Sequence, residues 1–465
     1  MVRYISTRGD APVLSFSDVL LTGLAGDGGL YVPETLPTLS TAELRALRGR
    51  SYAEVATRVM APFVGGDIGA DDFAALVADA YAGFDHKAVA PLKQIDDGIW
   101  LLELFHGPTL AFKDVAMQLL GRLFDHELRR RGERVTIVGA TSGDTGAAAV
   151  EAFRDRASVD VVILHPGRRV SEVQRRQMTT VLAPNVHNIA LEGTFDDCQD
   201  LVKAMFNDGA FRDEMRLSAV NSINWARIMA QAVYYVRAAV ELGAPEREIA
   251  FAVPTGNFGN VYAGVVARRM GVPIRRFAVG SNSNDILTRF FRSDDMSIRP
   301  VSPTLSPSMD IQVSSNFERL LFDLFDRSGP AVAEAMQAFR RTGRLSVGAN
   351  RWREAAELFA ACSLSDEETL AVIAREHAAT GELLDPHTAV GVAAARSLDS
   401  DVPVVALATA HPAKFPEAVE RATGLRSSLP PRLADIATRP ERVAKLPNDL
   451  KAVQNFVRAH ARVTA

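Results

Sequence analysis

From residue 135 onward the chain repeats one alternation: a short apolar run rich in β-branched residues, then a segment of helix length. Val135–Gly139, Val159–Leu164, Val186–Leu191, Ile249–Val253 and Ile274–Val279 read as strands, with a last buried strand at Val402–Ala408. The segments between them, Asp144–Arg154, Ser171–Val181, Thr194–Phe206, Asn224–Leu242 and Gly259–Met270, read as helices. Strand and helix in turn, with short connections, predict parallel sheets covered by helices. Crossovers should be right-handed, and ligands should collect at the carboxyl ends of the strands. Ser171 with Gln174, Thr194 with Asp197 and Ser365 with Glu368 have the spacing of capping boxes. Further helices are expected at Ser40–Leu47, Asp71–Tyr81, Ser365–Ala378 and His387–Leu398. The proline- and serine-rich stretch 296–316 reads as an ordered loop, because apolar residues persist in it.

A chain of 465 residues should form two or three domains and bury ample core. Its 52 basic and 56 acidic side chains leave a formal charge of −4. That gives no general basic field, so neither nucleic acid nor an anionic membrane is an expected partner. The two cysteines, Cys198 and Cys362, make neither a disulfide framework nor a zinc site, and both lie in stretches that read as helix. The nine histidines show no metal-ligand spacing, so no metal is expected. The first ten residues lack the apolar run of a signal peptide, and no window approaches ~20 uninterrupted apolar residues. A cytoplasmic location is the resulting expectation.

Five segments carry chemistry. Lys113 closes the uncharged run Gly107–Phe112. Burial there would favour a neutral amine, able to condense with an aldehyde; the alternative is a snorkelling surface lysine. Pro254–Asn260 falls where a strand should give way to a helix, and Gly256 and Gly259 would let backbone approach a phosphate. It lacks the Gly-Lys-Ser/Thr ending of a nucleotide loop. Gly139–Gly146 occupies a similar place and suits a carboxylate; its glycine spacing of four and three does not match the dinucleotide fingerprint. Thr409, in Ala408–Phe415, offers a hydroxyl to a heteroaromatic nitrogen. Asn224, Arg227 and Gln231 share one helical face, either solvated or the wall of a pocket. Arg129–Arg131 read as a solvated helix end, and Arg168, Arg169, Arg175 and Arg176 as exposed, or else as contacts for a substrate phosphate. An amine beside an aldehyde and a remote phosphate turn point to pyridoxal phosphate.

With these segments in order, the chain resembles the threonine synthase family, within the tryptophan-synthase-β-like (fold type II) pyridoxal phosphate enzymes. The resemblance runs almost end to end, through Gly26–Pro33, Phe105–Asp114, Gly139–Gly146, Asn221–Gln231, Pro254–Asn260, Ser306–Glu318 and Thr409–Phe415. Gly26–Pro33 and Ser306–Asp310 are the most particular to that family. It implies an α/β fold with two open parallel-type sheets flanked by helices and an N-terminal α+β region over 1–92. The catalytic region would span 93–465, with a smaller subdomain over about 105–220. It implies that Lys113 forms the Schiff base, that Gly256, Asn257, Phe258 and Asn260 line the cofactor phosphate, and that Thr409 faces the pyridine nitrogen. Thr141, Ser142, Gly143, Asp144 and Thr145 would hold the substrate carboxylate. Asn224 would stand in the pocket wall, and Lys414 or Arg175 would meet the substrate phosphate. The implied reaction takes O-phospho-L-homoserine and water to L-threonine and phosphate, with a monomer favoured. Two rivals stand beside it: a related lyase or dehydratase, and a silent homologue that binds a phosphorylated ligand.

Overall fold

The computed structural model describes residues 2–141, 143–167, 170–219 and 222–462. The chain divides into two units, Met1–His106 with Ser222–Ser427, and Gly107–Asn221 with Ser428–Ala465.

The second of these is built on a five-stranded sheet, in the order Ala444–Pro447, Val186–Glu192, Val159–Pro166, Val135–Ala140, Leu217–Ser218. All four pairings are parallel. Val159–Pro166 is central and buried at every position, which suits its apolar run Val161–Leu164; Asp160 and His165 are buried with it. Val138, Val162, Leu164, Ile189 and Leu191 pack against Cys198, Leu201 and Met205 of the helix Phe195–Asn207, and against Val453 and Val457. Each such side chain contributes roughly 1.5–3 kcal/mol by leaving water. Thr194 and Asp197 form the expected reciprocal cap. At Ser171 only half of the expected box forms. Its hydroxyl takes the Gln174 amide N–H and donates to Gln174 Oε1 at 3.0 Å, while Gln174 Nε2 donates to Asp144 at 2.8 Å.

The other unit holds a six-stranded sheet in the order Phe359–Ser363, Ile274–Ser281, Ile249–Pro254, Val404–Ala408, Ile99–Glu103, Leu92–Asp96. Its pairings are parallel except for the last, where Leu92–Asp96 folds back antiparallel. Ala250, Ala252, Ala278 and Ala406 keep the sheet face shallow beneath Val390 and Ala394 of the helix Pro386–Arg396. Residues 1–92 contribute an antiparallel pair, Tyr4–Ser6 with Tyr31–Pro33, and the helices Tyr52–Val64 and Ala70–Ala82. One expectation is corrected here. Cys362 lies on a strand, paired with Gly280, and not on a helix; Cys198 is helical as expected. Its neighbours Ala360 and Ala361 favour a helix locally. The free edge of Ile274–Ser281 supplies hydrogen bonds that outweigh that preference. The stretch 296–316 is ordered, with a single 3₁₀ turn at Pro307–Met309.

Candidate active site

Lys113 opens the helix Lys113–Arg131. The turn before it is pinned by Asp114, whose two carboxylate oxygens accept the Thr109 amide and hydroxyl, both at 2.7 Å. Gln177 donates to the Thr109 carbonyl at 3.0 Å. The lysine is only 8% exposed, so the snorkelling alternative fails. Its Nζ lies 3.4 Å from Asp144 Oδ2 and 5.2 Å from the centroid of the Phe112 ring. A buried amine beside a buried carboxylate can gain or lose a proton without contact with bulk water. Asp144 begins the helix Asp144–Phe153, and the loop before it is folded by Thr141. The Thr141 hydroxyl oxygen accepts the Gly143 amide at 3.0 Å and the Gly146 amide at 2.9 Å, leaving its single proton to donate. Gly143 has φ of 153°, and a side chain there would meet Gln174 at 2.6 Å. Thr145 is half-buried; Ser142 lies outside the described residues. Arg175 and Arg176, expected at the exposed surface, are half-buried. Both are paired with Glu441, and Arg175 is thereby already committed to an anion.

In the other unit, Pro254 ends a strand and Gly259 begins the helix Gly259–Arg269. Phe258 adopts a left-handed conformation, φ 62°, held by burial of its ring against Phe317 and Phe291. No side chain caps the helix, so its first amides face the turn. Asn260 is 5% exposed. The hydroxyls of Tyr234 and Tyr235 donate to its Oδ1, which leaves Nδ2 a buried donor without a partner among the described residues. A Cβ on Gly256 would lie 2.8 Å from Ile311 Cδ1 and 3.0 Å from Met309 Cα, so any larger residue requires its neighbours to shift. Thr409 follows the neighbouring strand Val404–Ala408 and is 5% exposed. Its amide donates to Thr388 Oγ1 at 3.2 Å, and Thr388 donates to Asp385. The turn and Thr409 thus stand at the carboxyl ends of adjacent parallel strands. Lys414 is fully buried in a short turn at Pro412–Lys414.

Asn224, Arg227 and Gln231 prove to be buried, which overturns the solvated alternative for that stripe. Asn224 caps the helix Trp225–Glu241 and donates to the Leu20 carbonyl at 2.8 Å. Arg227 is different. Among the described residues it has no carboxylate partner, and its Nε is buried without an acceptor. Burial draws its pKa down from 12.5 to about 10, against a small opposing pull from Tyr234. A buried guanidinium with neither an anion nor a hydrogen-bond acceptor among the described residues is suited to an anion brought by a ligand.

The chain matches the family models described as threonine synthase N terminus over residues 3–81, pyridoxal-phosphate dependent enzyme over 86–349, and threonine synthase, C-terminal, over 388–457. It is 59% identical to a threonine synthase of Pseudomonas aeruginosa, over 99% of this chain and 98% of that one. The chain belongs to the threonine synthase family. A threonine synthase of Corynebacterium glutamicum is 45% identical over 98% of both chains. Among solved structures, pyridoxal-phosphate-bound threonine synthase from Brucella melitensis superposes with a TM-score of 0.98 at 54% identity, covering 99% of this chain and 100% of that one. The Escherichia coli threonine synthase structure gives 0.82 at 32% identity, covering 98% and 100%.

The residues present fit the cofactor of this family. One unit offers a buried primary amine; the other offers an uncapped helix start, a closely packed glycine and the free Asn260 Nδ2. Sequence reasoning placed Arg227 in the threonine synthase motif but gave it no role. Its i, i+3 spacing from Asn224 was visible, whereas its lack of a carboxylate partner is a tertiary fact.

Proposed function

We propose that this chain is the pyridoxal-phosphate-dependent enzyme that converts O-phospho-L-homoserine and water to L-threonine and phosphate, by γ-elimination and addition of water at the β-carbon. Identity to threonine synthases over essentially the whole chain carries this reading. When bound, the cofactor supplies an electron sink for chemistry at the substrate's α- and β-carbons. The remaining assignments concern the chain's own groups. Lys113 would hold the cofactor and, as a tethered amine, would carry protons between the substrate's α-, β- and γ-carbons, because it stays beside them. Asp144, 3.4 Å away, keeps that amine oriented and balances its charge. The turn Gly256–Asn260 receives the cofactor phosphate on backbone amides, and Thr409 presents its hydroxyl to the pyridine nitrogen. A hydroxyl does not favour a protonated ring as a carboxylate does, which moderates the sink and limits transamination. The loop Thr141–Thr145 takes the substrate carboxylate.

The substrate phosphate is best received by Arg227. It carries the charge such a leaving group needs and, unlike Arg175, is not already paired with a carboxylate. Lys414, fully buried, is the second candidate. A cytoplasmic monomer stays part of the proposal, in keeping with a biosynthetic enzyme acting on a small molecule; no helix of the described residues is long and apolar enough to cross a membrane. The large apolar side chains left exposed, such as Val13, Leu182, Ile298 and Leu425, come from separate segments.

The test is product analysis with O-phospho-L-homoserine, scoring released phosphate and threonine together. Homoserine and serine serve as controls. Keto-acid formation without threonine would favour a dehydratase; binding without turnover would favour a silent homologue.

A further inference from the structure

The stretch Ser306–Glu318 marks the family, yet the reaction assigns it no work. The structure shows what it touches. Met309 Cα and Ile311 Cδ1 stand 3.0 and 2.8 Å from where a Cβ on Gly256 would lie. Beyond them the chain makes three hydrogen bonds to the same turn. Ser314 Oγ donates to the Gly256 carbonyl at 2.6 Å, Ser315 Oγ to Asn257 Oδ1 at 3.3 Å, and the Asn316 amide to the Asn257 carbonyl at 3.0 Å.

Asn316 is itself held from several sides. It is fully buried, donates through Nδ2 to the Ser222 carbonyl at 3.2 Å, and accepts from Arg319. Arg319 is fully buried and forms no ion pair among the described residues. Its Nη2 donates to the carbonyls of Tyr31, at 3.0 Å, and Ile223, at 2.5 Å. The far end of the stretch is fixed as well. The Ser308 amide donates to His387 Nε2 at 3.3 Å, and Asp310 accepts from Thr304 and Asn282 at 2.7 and 2.8 Å.

A trans peptide points its carbonyl and its N–H in opposite directions. Holding the Gly256 carbonyl on the strap side therefore aims the Asn257 N–H away from it. Holding the Asn257 carbonyl does the same for the Phe258 N–H. Two amides of the turn are oriented by Ser314 and Asn316, distant in the chain from Gly256 and Asn257. The turn supplies little of this order itself, since no side chain caps its helix.

We infer that residues 306–319 form a strap, and that Ser314 and Asn316 are positioning residues that set how strongly the chain holds the cofactor through its phosphate. This rests on the reading that Gly256–Asn260 receives that phosphate. The strap acts through the direction of two N–H bonds.

The test compares pyridoxal phosphate with pyridoxal, which lacks only the phosphate, as ligands of the full-length apoprotein. Dissociation constants are measured by fluorescence and absorbance for the parent, Gly256→Ala, Ser314→Ala, Ser314→Thr and Ser314→Ala/Asn316→Ala. The preference for the phosphorylated form should fall about tenfold in Ser314→Ala and further in the double variant, with pyridoxal affinity changed less than twofold. Ser314→Thr keeps the hydroxyl and should keep most of the preference. The phosphorus resonance of bound cofactor should shift in the same variants. If Gly256→Ala abolishes the preference while Ser314→Ala and the double variant retain it, the turn reading stands and the strap inference is wrong. If Gly256→Ala retains it, both fall. Equal losses for the two ligands would make the strap a folding element only and also overturn the inference. Should the double variant not fold, Ser314→Ala against Ser314→Thr decides.

Discussion

Replacing Arg227 by methionine should make the protein more stable and the enzyme worse. The guanidinium is 3% exposed, and burial lowers its pKa from 12.5 to about 10. At about 1.4 kcal/mol for each tenfold step, that corresponds to about 3 kcal/mol against the charged form. Methionine has similar length and no charge, so part of that cost is recovered. Replacing buried ionic groups by apolar ones of similar volume gains roughly 1–4 kcal/mol in other proteins. Without cofactor or substrate, the thermal midpoint of R227M should rise by roughly 2–6 °C. The substrate phosphate would at the same time lose a charge-assisted contact worth roughly 1.5–3 kcal/mol. KM for O-phospho-L-homoserine should then rise about tenfold to a hundredfold, and inhibition by inorganic phosphate should weaken in step. The assay pairs calorimetry of the apoprotein with steady-state phosphate release, and R227K serves as the variant that keeps the charge. A lowered midpoint with unchanged KM would refute the reasoning, because Arg227 would then be a structural residue whose charge the fold itself satisfies.

Lys113→Ala should abolish turnover and the visible absorbance of the bound cofactor; turnover without an added amine would count against the lysine's role. Thr409→Asp should change the protonation of the bound cofactor and increase side reactions, and an unchanged spectrum would place Thr409 away from the ring. Asp144→Asn should lower kcat more than it raises KM, since it removes the charge beside Lys113 Nζ but keeps the group's shape; an unchanged kcat and pH profile would sink that. His187 predicts acid sensitivity. Burial, helped by His460 and Arg442, holds its pKa at about 4 against 6.5 for the free side chain. The unfolded chain therefore takes up this proton first, so stability is full above pH 6.5 and declines as pH falls toward 4. His187→Gln should move the acid-unfolding midpoint to lower pH; an unmoved midpoint would remove His187 from the account.

Much of the fold could be read locally. The strands at Val159–Pro166 and Ile249–Pro254 announce themselves because a strand buried on both faces favours near-continuous apolar runs, here Val161–Leu164 and Ile249–Val253. Caps such as Thr194–Asp197 and Ser365–Glu368 were legible because both partners lie within one helical turn. The candidate Lys113 and the Gly256–Asn260 turn were legible as well, since their residue types are unusual for the positions they hold. Phe359–Ser363 and Ala444–Pro447 were not. Their strand character comes from sheet edges that distant residues provide.

The sequence by itself determined the buried central strands and the capped helices, and where amine, glycine turn and hydroxyl fall along the chain. These depend on periodicity and on hydrogen bonds that close within a few residues. Only the tertiary structure decided that Gln174 serves Asp144, that Arg227 is buried without a carboxylate partner among the described residues, and that Ser314 and Asn316 hold the turn at 256–257. Those partners lie some 30 to 60 residues apart or more, and no local pattern encodes which side chains a packed interior will bring within 3 Å of each other.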